Sequence, residues 1–351
     1  MLSGNTEFII WHDHEKLLQL SAPPSSVRVT APARLHLGFL DPGATLGRQF
    51  GSIGMALDGI ATRVAVEAHD EFIVTGLVDE RVLALVDRVI EDQQLSRDVR
   101  ITIETRIDEH AGLGSGTQLA LALGTALTHH AGSVSSPQML ARLLARGKRS
   151  GTGLGLFQRG GLIVDGGRGA DAGVPPLIAQ SDVPEAWRVI LVSDQRAAGF
   201  SGDAEVSAFA ALQPLSREGA ARLCHHTLMG VLPALAVGDF PAFCTHVGAV
   251  QTVIGEHFSA SQGGSFTSPG VGRVMAFCAA ELALTGIGQS SWGPTAFAFV
   301  PDAERAAEVV DQLEQNFDDD SAITFSICTP RNRGADIEIT NPSKQRLHAS
   351  G

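Results

Sequence analysis

No tyrosine occurs in this chain, and lysine appears only at Lys16, Lys148 and Lys344. The first absence removes the phenol from the available acids and phosphate ligands. With so little lysine, Gly-Lys-Ser/Thr occurs nowhere, which excludes a Walker-type phosphate loop. All other members of the 26 basic residues are arginines. Cysteine is scarce too: Cys224, Cys244, Cys278 and Cys328 are scattered and form no CxxC pair. Small buried thiols are expected, not disulfides or a metal site. Charged residues are only 18% and no low-complexity run is present, which confines disorder to the ends. Positive charge is in deficit, with a formal net charge of −12. That argues against non-specific binding to nucleic acid or to an anionic membrane. An acidic protein acting on phosphates must hold them by local devices: backbone N–H groups, a few arginines, a divalent cation. No window reads as long and apolar enough to cross a membrane. The opening MLSGNTEFIIWHDHEKLLQL lacks a basic start before a continuous apolar run, so it reads as no secretion signal, and a cytoplasmic location is expected.

What is present is core material: 44% of the 351 residues are hydrophobic, enough for one large domain or two lobes. SAPPSS at Ser21–Ser26 reads as a linker after a flexible extension over 1–26. VRVTAPARLHLGFLD alternates like a strand interrupted by Pro32, and ATRVAVEAHD, FIVTG and RITIETRI add strand signals. VDERVLALVDRVIEDQQL has apolar residues at helical spacing. A glycine-rich turn, AGLGSGT, opens into the apolar helix QLALALGTALTHHAG. A helix over Pro137–Arg149, a second glycine-rich turn and the strand GGLIVDGG follow. Asp171–Glu185 reads as loop and sets the lobe boundary. Beyond it come the strand WRVILVSD, helices near Ala204–Leu212, Ser216–Val237 and Phe240–Phe258, then GVGRVMAFCAAELALTG as helix, TAFAFVP as strand, 302–316 as helix and AITFSICTP as strand. The expected class is α+β in two lobes, 27–180 and 181–335, with a polar, frayed tail over 336–351.

The strongest local signal for chemistry is Gly112-Leu113-Gly114-Ser115-Gly116-Thr117-Gln118. Glycines permit positive φ and close approach of the backbone to a ligand. The helix that follows presents N–H groups without intrahelical partners and partial positive charge. The pair makes a phosphate site, although GxGxG also serves as an ordinary strand-to-helix turn.

AGLGSGTQ resembles the second motif of the GHMP family (galacto-, homoserine, mevalonate and phosphomevalonate kinases). APARLHLGFLD resembles the first motif, and SSWGPTAFAF, after Gly286 and Gly288, the third. The resemblance implies the two-lobed GHMP fold, with a ribosomal protein S5 domain 2-like N-terminal lobe and a ferredoxin-like C-terminal lobe. Three departures count against a kinase. Laid on SGTGLGLFQRGG, the catalytic Asp of the kinases falls on Gly153, the second motif's metal-holding Ser on Gly116, and its Pro on Asp108. RLHLGFLD, the later Gly-Arg, GLGSGTQ, SGTGLGLFQRGG, GFSGDAE and EHFSASQGGSF are instead similar to the β-ribofuranosylaminobenzene 5′-phosphate synthases, a branch of the same superfamily.

That resemblance implies a decarboxylating pentosyltransferase. It joins 4-aminobenzoate to phosphoribosyl pyrophosphate in tetrahydromethanopterin biosynthesis, with Mg²⁺, without ATP, and as a homodimer. It further implies a sugar pyrophosphate gripped by the main chain of the glycine turn while Asp41 faces the anomeric carbon. Asp41 is also a common type of turn residue before Pro42-Gly43. Arg48 would grip the substrate carboxylate or pyrophosphate. Arg34 and His36 share a strand face, where His36 is equally suited to a structural role. Ser115, Thr117 and Gln118 would bind phosphate, with capping of the helix the alternative for Thr117 and Gln118. Ser290, Ser291 and Trp292 would line the aromatic pocket, with core packing the alternative for Trp292. Glu205, Gln262 and Gly263 lie in matched blocks without an assigned role. The pairs His129-His130 and His225-His226 are poorly spaced for metal. The alternatives are an ATP-dependent GHMP kinase and a non-catalytic sugar-phosphate-binding protein.

Overall fold

The computed structural model describes residues 18–19, 23–170, 173–197, 199 and 212–341. A short strand β1 (Leu18–Gln19) precedes β2 (Ser26–Asp41), which pairs antiparallel with β3 (Phe50–Ala68) along their whole length. Every second residue of β2 from Val27 to Phe39 is buried, the period of two that a strand with one covered face requires. Pro32 does not end this strand. The register shifts between Pro32 and Ala33 and again between His36 and Gly38, so bulges absorb the missing N–H and turn the strand.

The N-terminal half continues with β4 (Ile73–Gly76), α1 (Glu80–Gln93), β5 (Val99–Thr105), α2 (Ser115–His130) and β6 (Ser133–Val134). Then come α3 (Pro137–Leu143), α4 (Thr152–Arg159), β7 (Leu162–Asp165) and β8 (Leu177–Ser181). Leu119, Leu123 and Leu127 of α2 and Val82, Val86 and Val89 of α1 cover the sheet beside Val27 and Val29. Helix α3 stops at Leu143 instead of running to Arg149, because Ala145 and Gly147 take positive φ. SGTGLGLFQR is not a turn but the buried helix α4. Without side chains, Gly153 packs against Thr117 and Gly155 against Ile163 and Leu177, which offsets their poor helix propensity. β8 occupies part of the expected boundary loop.

The C-terminal half holds β9 (Arg188–Asp194), α5 (Arg217–His226), a π-helical turn (Thr227–Val231), α6 (Leu232–Val237), α7 (Phe240–Gln262) and α8 (Pro269–Ala280). β10 (Ile287–Gln289), β11 (Ala296–Val300), α9 (Ala303–Asn316) and β12 (Ile323–Pro330) complete it. The expected helix near Ala204–Leu212 and residue Glu205 lie outside the described residues. Strand order β10-β11-β9-β12, all antiparallel, is the ferredoxin-like arrangement. β12 also pairs with β3 through Thr329↔Asp58 and Pro330↔Leu57, which joins both halves in one sheet. Asp336–Thr340, read as frayed tail, is strand β13 on the edge of β2. The run Arg217–Val237 does satisfy the length and composition of a membrane span, against the sequence reading. Its Leu223, Val231 and Leu235 are packed in the core with Phe243 and Val247, as expected of a helix covering a sheet.

Asp194 closes β9 against α8. Burial alone would raise its pKa, but hydrogen bonds from Arg196 and Ser268 and the Arg196 charge hold it at about 2. Its contribution to stability is therefore complete above its unfolded value of about 4 and lost as pH falls through the folded one. Urea unfolding of Asp194→Asn is expected to show a flatter loss of stability between about pH 4 and 2 than the parent protein.

Candidate active site

Most of the longer helices begin with a polar cap. Asp79, Ser136, Ser216, Asp239, Ser268 and Asp302 each accept a hydrogen bond from their helix's first turn. Helices α2 and α4 instead start at Gly114 and Gly151 with no side-chain cap. The Gly151 amide is taken by Asp165 Oδ2 at 2.8 Å. The start of α2 therefore keeps outward N–H groups and partial positive charge for a ligand. Gly112 and Gly114 have φ of 80° and 79°, the left-handed region that glycine enters without strain.

The turn is anchored from two sides. The Arg34 N–H donates to Leu113 O at 2.9 Å, and the Arg34 side chain packs against Gly114. Ser290 Oγ accepts from the His36 N–H at 3.0 Å and donates to Gly112 O at 2.9 Å, tying the first, second and third motifs together. Gln118 does not cap α2. It is fully buried, and its Nε2 donates to Gly153 O at 2.9 Å while Oε1 has no partner among the described residues. A side chain on Gly153 would point at Thr117 in the first turn, and no carboxylate stands at that position.

His36 is buried and in tilted contact with the Phe39 ring. Burial, and then the Arg34 charge, push its pKa well below the ordinary value, so it is neutral; its Nε2 lacks a partner among the described residues. Trp292 is only 1% exposed and stacks on Phe258 at 4.3 Å, a core position beside the turn. Ser291 takes φ of 56°, and its carbonyl accepts from Gln289. Gln262 bonds Gln289 and Thr267, and Gly263 ends α7.

Asp41 lies elsewhere. It ends β2, seven residues beyond Arg34, and a strand advances about 3.3 Å per residue, which puts the two on the order of 20 Å apart. Arg34, which touches the glycine turn, and Asp41 thus lie at opposite ends of the second half of β2. Asp41 Oδ2 accepts from Thr45 N and Oγ1 at 2.8 and 2.7 Å, while its buried Oδ1 has no partner among the described residues. Arg48 donates to the carbonyls of Gly166 and Gly167, holding its own loop to the loop after β7. Between the two ends lies Asp165, buried and hydrogen-bonded to Ser52, Gly151 and Gly167. Burial raises its pKa in spite of these donors.

Two arginines that no motif revealed also reach the turn. Arg81, in the first turn of α1, directs Nη2 at Gly116, and Arg146 Nη1 lies 3.5 Å from where a Gly116 side chain would begin. Among the described residues no group of three His, Cys, Asp or Glu is placed to hold a metal ion. His129 instead bonds the Thr125 carbonyl, and His226 the ring of His246. Cys244, Cys278 and Cys328 are buried, with burial pushing their thiols up to about 12, 11 and 11. Cys224 is exposed.

These features coincide with known proteins. Residues 80–156 match the GHMP kinases N terminal domain, and residues 257–319 the GHMP kinases C terminal domain. A homoserine kinase from Cytophaga hutchinsonii superimposes with a TM-score of 0.64 over 94% of this chain and 100% of its own, at 16% identity. Mevalonate-3-kinase from Thermoplasma acidophilum does so with 0.62 over 90% and 99%, at 12% identity. At such identities the likeness is one of fold, and the fold is that of the GHMP kinases.

Within that class the sequence relatives are more particular. A β-ribofuranosylphenol 5′-phosphate synthase from Methanothermobacter thermautotrophicus is 30% identical over 77% of this chain and 87% of its own length. Another from Archaeoglobus fulgidus is 29% identical over 89% of this chain and 100% of its own. The chain belongs to this synthase family, and it is an enzyme.

Proposed function

We propose that the protein is a phosphoribosyltransferase. It condenses 4-aminobenzoate with phosphoribosyl pyrophosphate in the cytoplasm, as a homodimer, for tetrahydromethanopterin biosynthesis. The observation that carries this reading is the pairing of an uncapped α2 start with glycine at 153. The site can seat a phosphate ester, and glycine at 153 supplies no carboxylate where the kinases carry theirs. In the reaction the C1–oxygen bond breaks and its electron pair leaves on pyrophosphate. The ring carbon bearing the carboxylate bonds to C1. Carbon dioxide then departs, and its bonding pair restores the aromatic ring.

The distance between Asp41 and the turn orients the sugar. C1 is only a few bonds from any of the substrate's three phosphorus atoms, so Asp41 does not reach C1 while the same molecule has a phosphate on the turn. The 5-phosphate is assigned to the turn, and the diphosphate is directed toward Asp41. Asp41 Oδ1, a buried acceptor with no partner among the described residues, suits a Mg²⁺ ion otherwise ligated by phosphate oxygens. Bound there, Mg²⁺ supplies neutralisation of the leaving diphosphate. Arg48 holds the loop that presents Asp41.

Incubation of the pure protein with phosphoribosyl pyrophosphate, 4-aminobenzoate and Mg²⁺ is expected to release carbon dioxide only when all three are present. 4-Hydroxybenzoate belongs beside it, because the sequence relatives carry a phenol in their name. Consumption of ATP with a small alcohol, and no product from phosphoribosyl pyrophosphate, would return the protein to the kinases. Asp41→Asn is expected to lower kcat/KM about 100-fold, the scale of removing one charge-stabilising group, without weakening ribose 5-phosphate binding.

A further inference from the structure

Three local rules are broken around the start of α2. Gly116 sits inside a helix, where glycine costs up to about 1 kcal/mol relative to alanine, although its φ is not positive and the backbone does not demand it. Arg81 stands in the first turn of α1, where the helix dipole disfavours a cation. Arg146 is half-buried with its Nε out of water and without a partner among the described residues. Burial lowers its pKa, and the like charges of Arg81 and Arg88 lower it further. One geometric fact connects the three. A Cβ at Gly116 would collide with Arg81 Nη2 and stand 3.5 Å from Arg146 Nη1.

We propose that Arg81 and Arg146 form a two-guanidinium clamp that takes the substrate's 5-phosphate over the start of α2. This rests on the reading that the substrate is a phosphoribosyl compound. Two like charges held together in a net acidic protein repel unless an anion joins them. Glu109 meets Arg81 Nη1 at 3.2 Å, and it also binds Arg106. That leaves Arg81 Nη2 directed at Gly116, beside the outward N–H groups of α2. Guanidinium forks match phosphate oxygens better than any other side chain, and their charge balances a dianion. Gly116 is then a specificity residue. The volume that serine fills in the kinase motif is left to an arginine, and a guanidinium takes the phosphate.

Calorimetric titration with ribose 5-phosphate and, separately, with inorganic pyrophosphate tests the clamp. Arg81→Ala, Arg146→Ala and Gly116→Ala are each expected to weaken ribose 5-phosphate by about tenfold or more, the scale of a lost charged hydrogen bond, with pyrophosphate unchanged. Gly116→Ala improves the helix, so its Tm is expected to hold or rise while affinity falls. Its effect is expected to vanish in an Arg81→Ala background, because the alanine acts by displacing Arg81. Unchanged ribose 5-phosphate affinity in the variants overturns the proposal, and so does loss of pyrophosphate binding alone or additivity in the double variant. A parent protein that binds ribose 5-phosphate through these arginines yet forms no product from phosphoribosyl pyrophosphate leaves the clamp standing and removes the synthase reading. Turnover with unaltered affinities does the reverse.

Discussion

Gly112→Ala is expected to reduce kcat/KM with phosphoribosyl pyrophosphate by about 100-fold or more, because displacing a binding element by an ångström already has that effect. Two causes act together. The left-handed φ of 80° strains any residue with a Cβ, by about 1–2 kcal/mol. The added methyl would also run into the Ser290 carbonyl, with Gly293 Cα only 3.1 Å away. Neither neighbour is a flexible side chain, so the turn itself must move, and with it the amides at the start of α2. Gly238→Ala separates the two causes. Gly238 ends α6 with φ of 72° and nothing within 4 Å of its would-be Cβ. Strain without collision is expected to lower Tm slightly and leave turnover intact. Equal kinetics for Gly112→Ala and the parent protein would remove the turn from the site.

The largest expected loss of stability comes from Arg331, which is 4% exposed at the junction of the two halves. Its Nη1 meets Asp58 at 2.6 Å and its Nη2 meets Asp336 at 2.8 Å. Nε and Nη2 also donate to the carbonyls of Arg333 and Gly334. One guanidinium thus fastens β3, the end of β12 and the approach to β13. Arg331→Ala leaves Asp58 and Asp336 with only the longer Arg333 contacts and takes the buried donor from the Arg333 and Gly334 carbonyls. Removing one partner of a buried ion pair costs about 3–5 kcal/mol, and the half-exposed aspartates bring the expectation to about 2–3 kcal/mol in urea unfolding. Lysine, with no fork, is expected to restore little. A loss under about 1 kcal/mol would mean that water replaces these contacts without penalty.

The local features were legible because they are local. β2 and β3 show their alternation within a few residues, and α1 and α9 their apolar stripes. The turn at Gly112–Thr117 is visible because positive φ demands glycine at the positions themselves. Glycine opposite Thr117 was visible in the same way, as a missing side chain where the kinases carry an acid. Residues 150–159 misled because three glycines normally argue for a turn. Only the closeness of Thr117, Ile163 and Leu177 makes a helix the better solution there. β13 was missed because an edge strand of mixed polarity has no period apart from its partner, β2.

By itself, then, the sequence determined the family, the strand and helix pattern, and a helix that opens on bare glycine. All of these are written in residue types at short spacing. The tertiary structure alone decided that Arg81 and Arg146, 65 residues apart in number, meet at Gly116, and that Arg331 joins Asp58 to Asp336. Side chains from separate elements converge through packing and register, and those depend on the whole sheet being assembled.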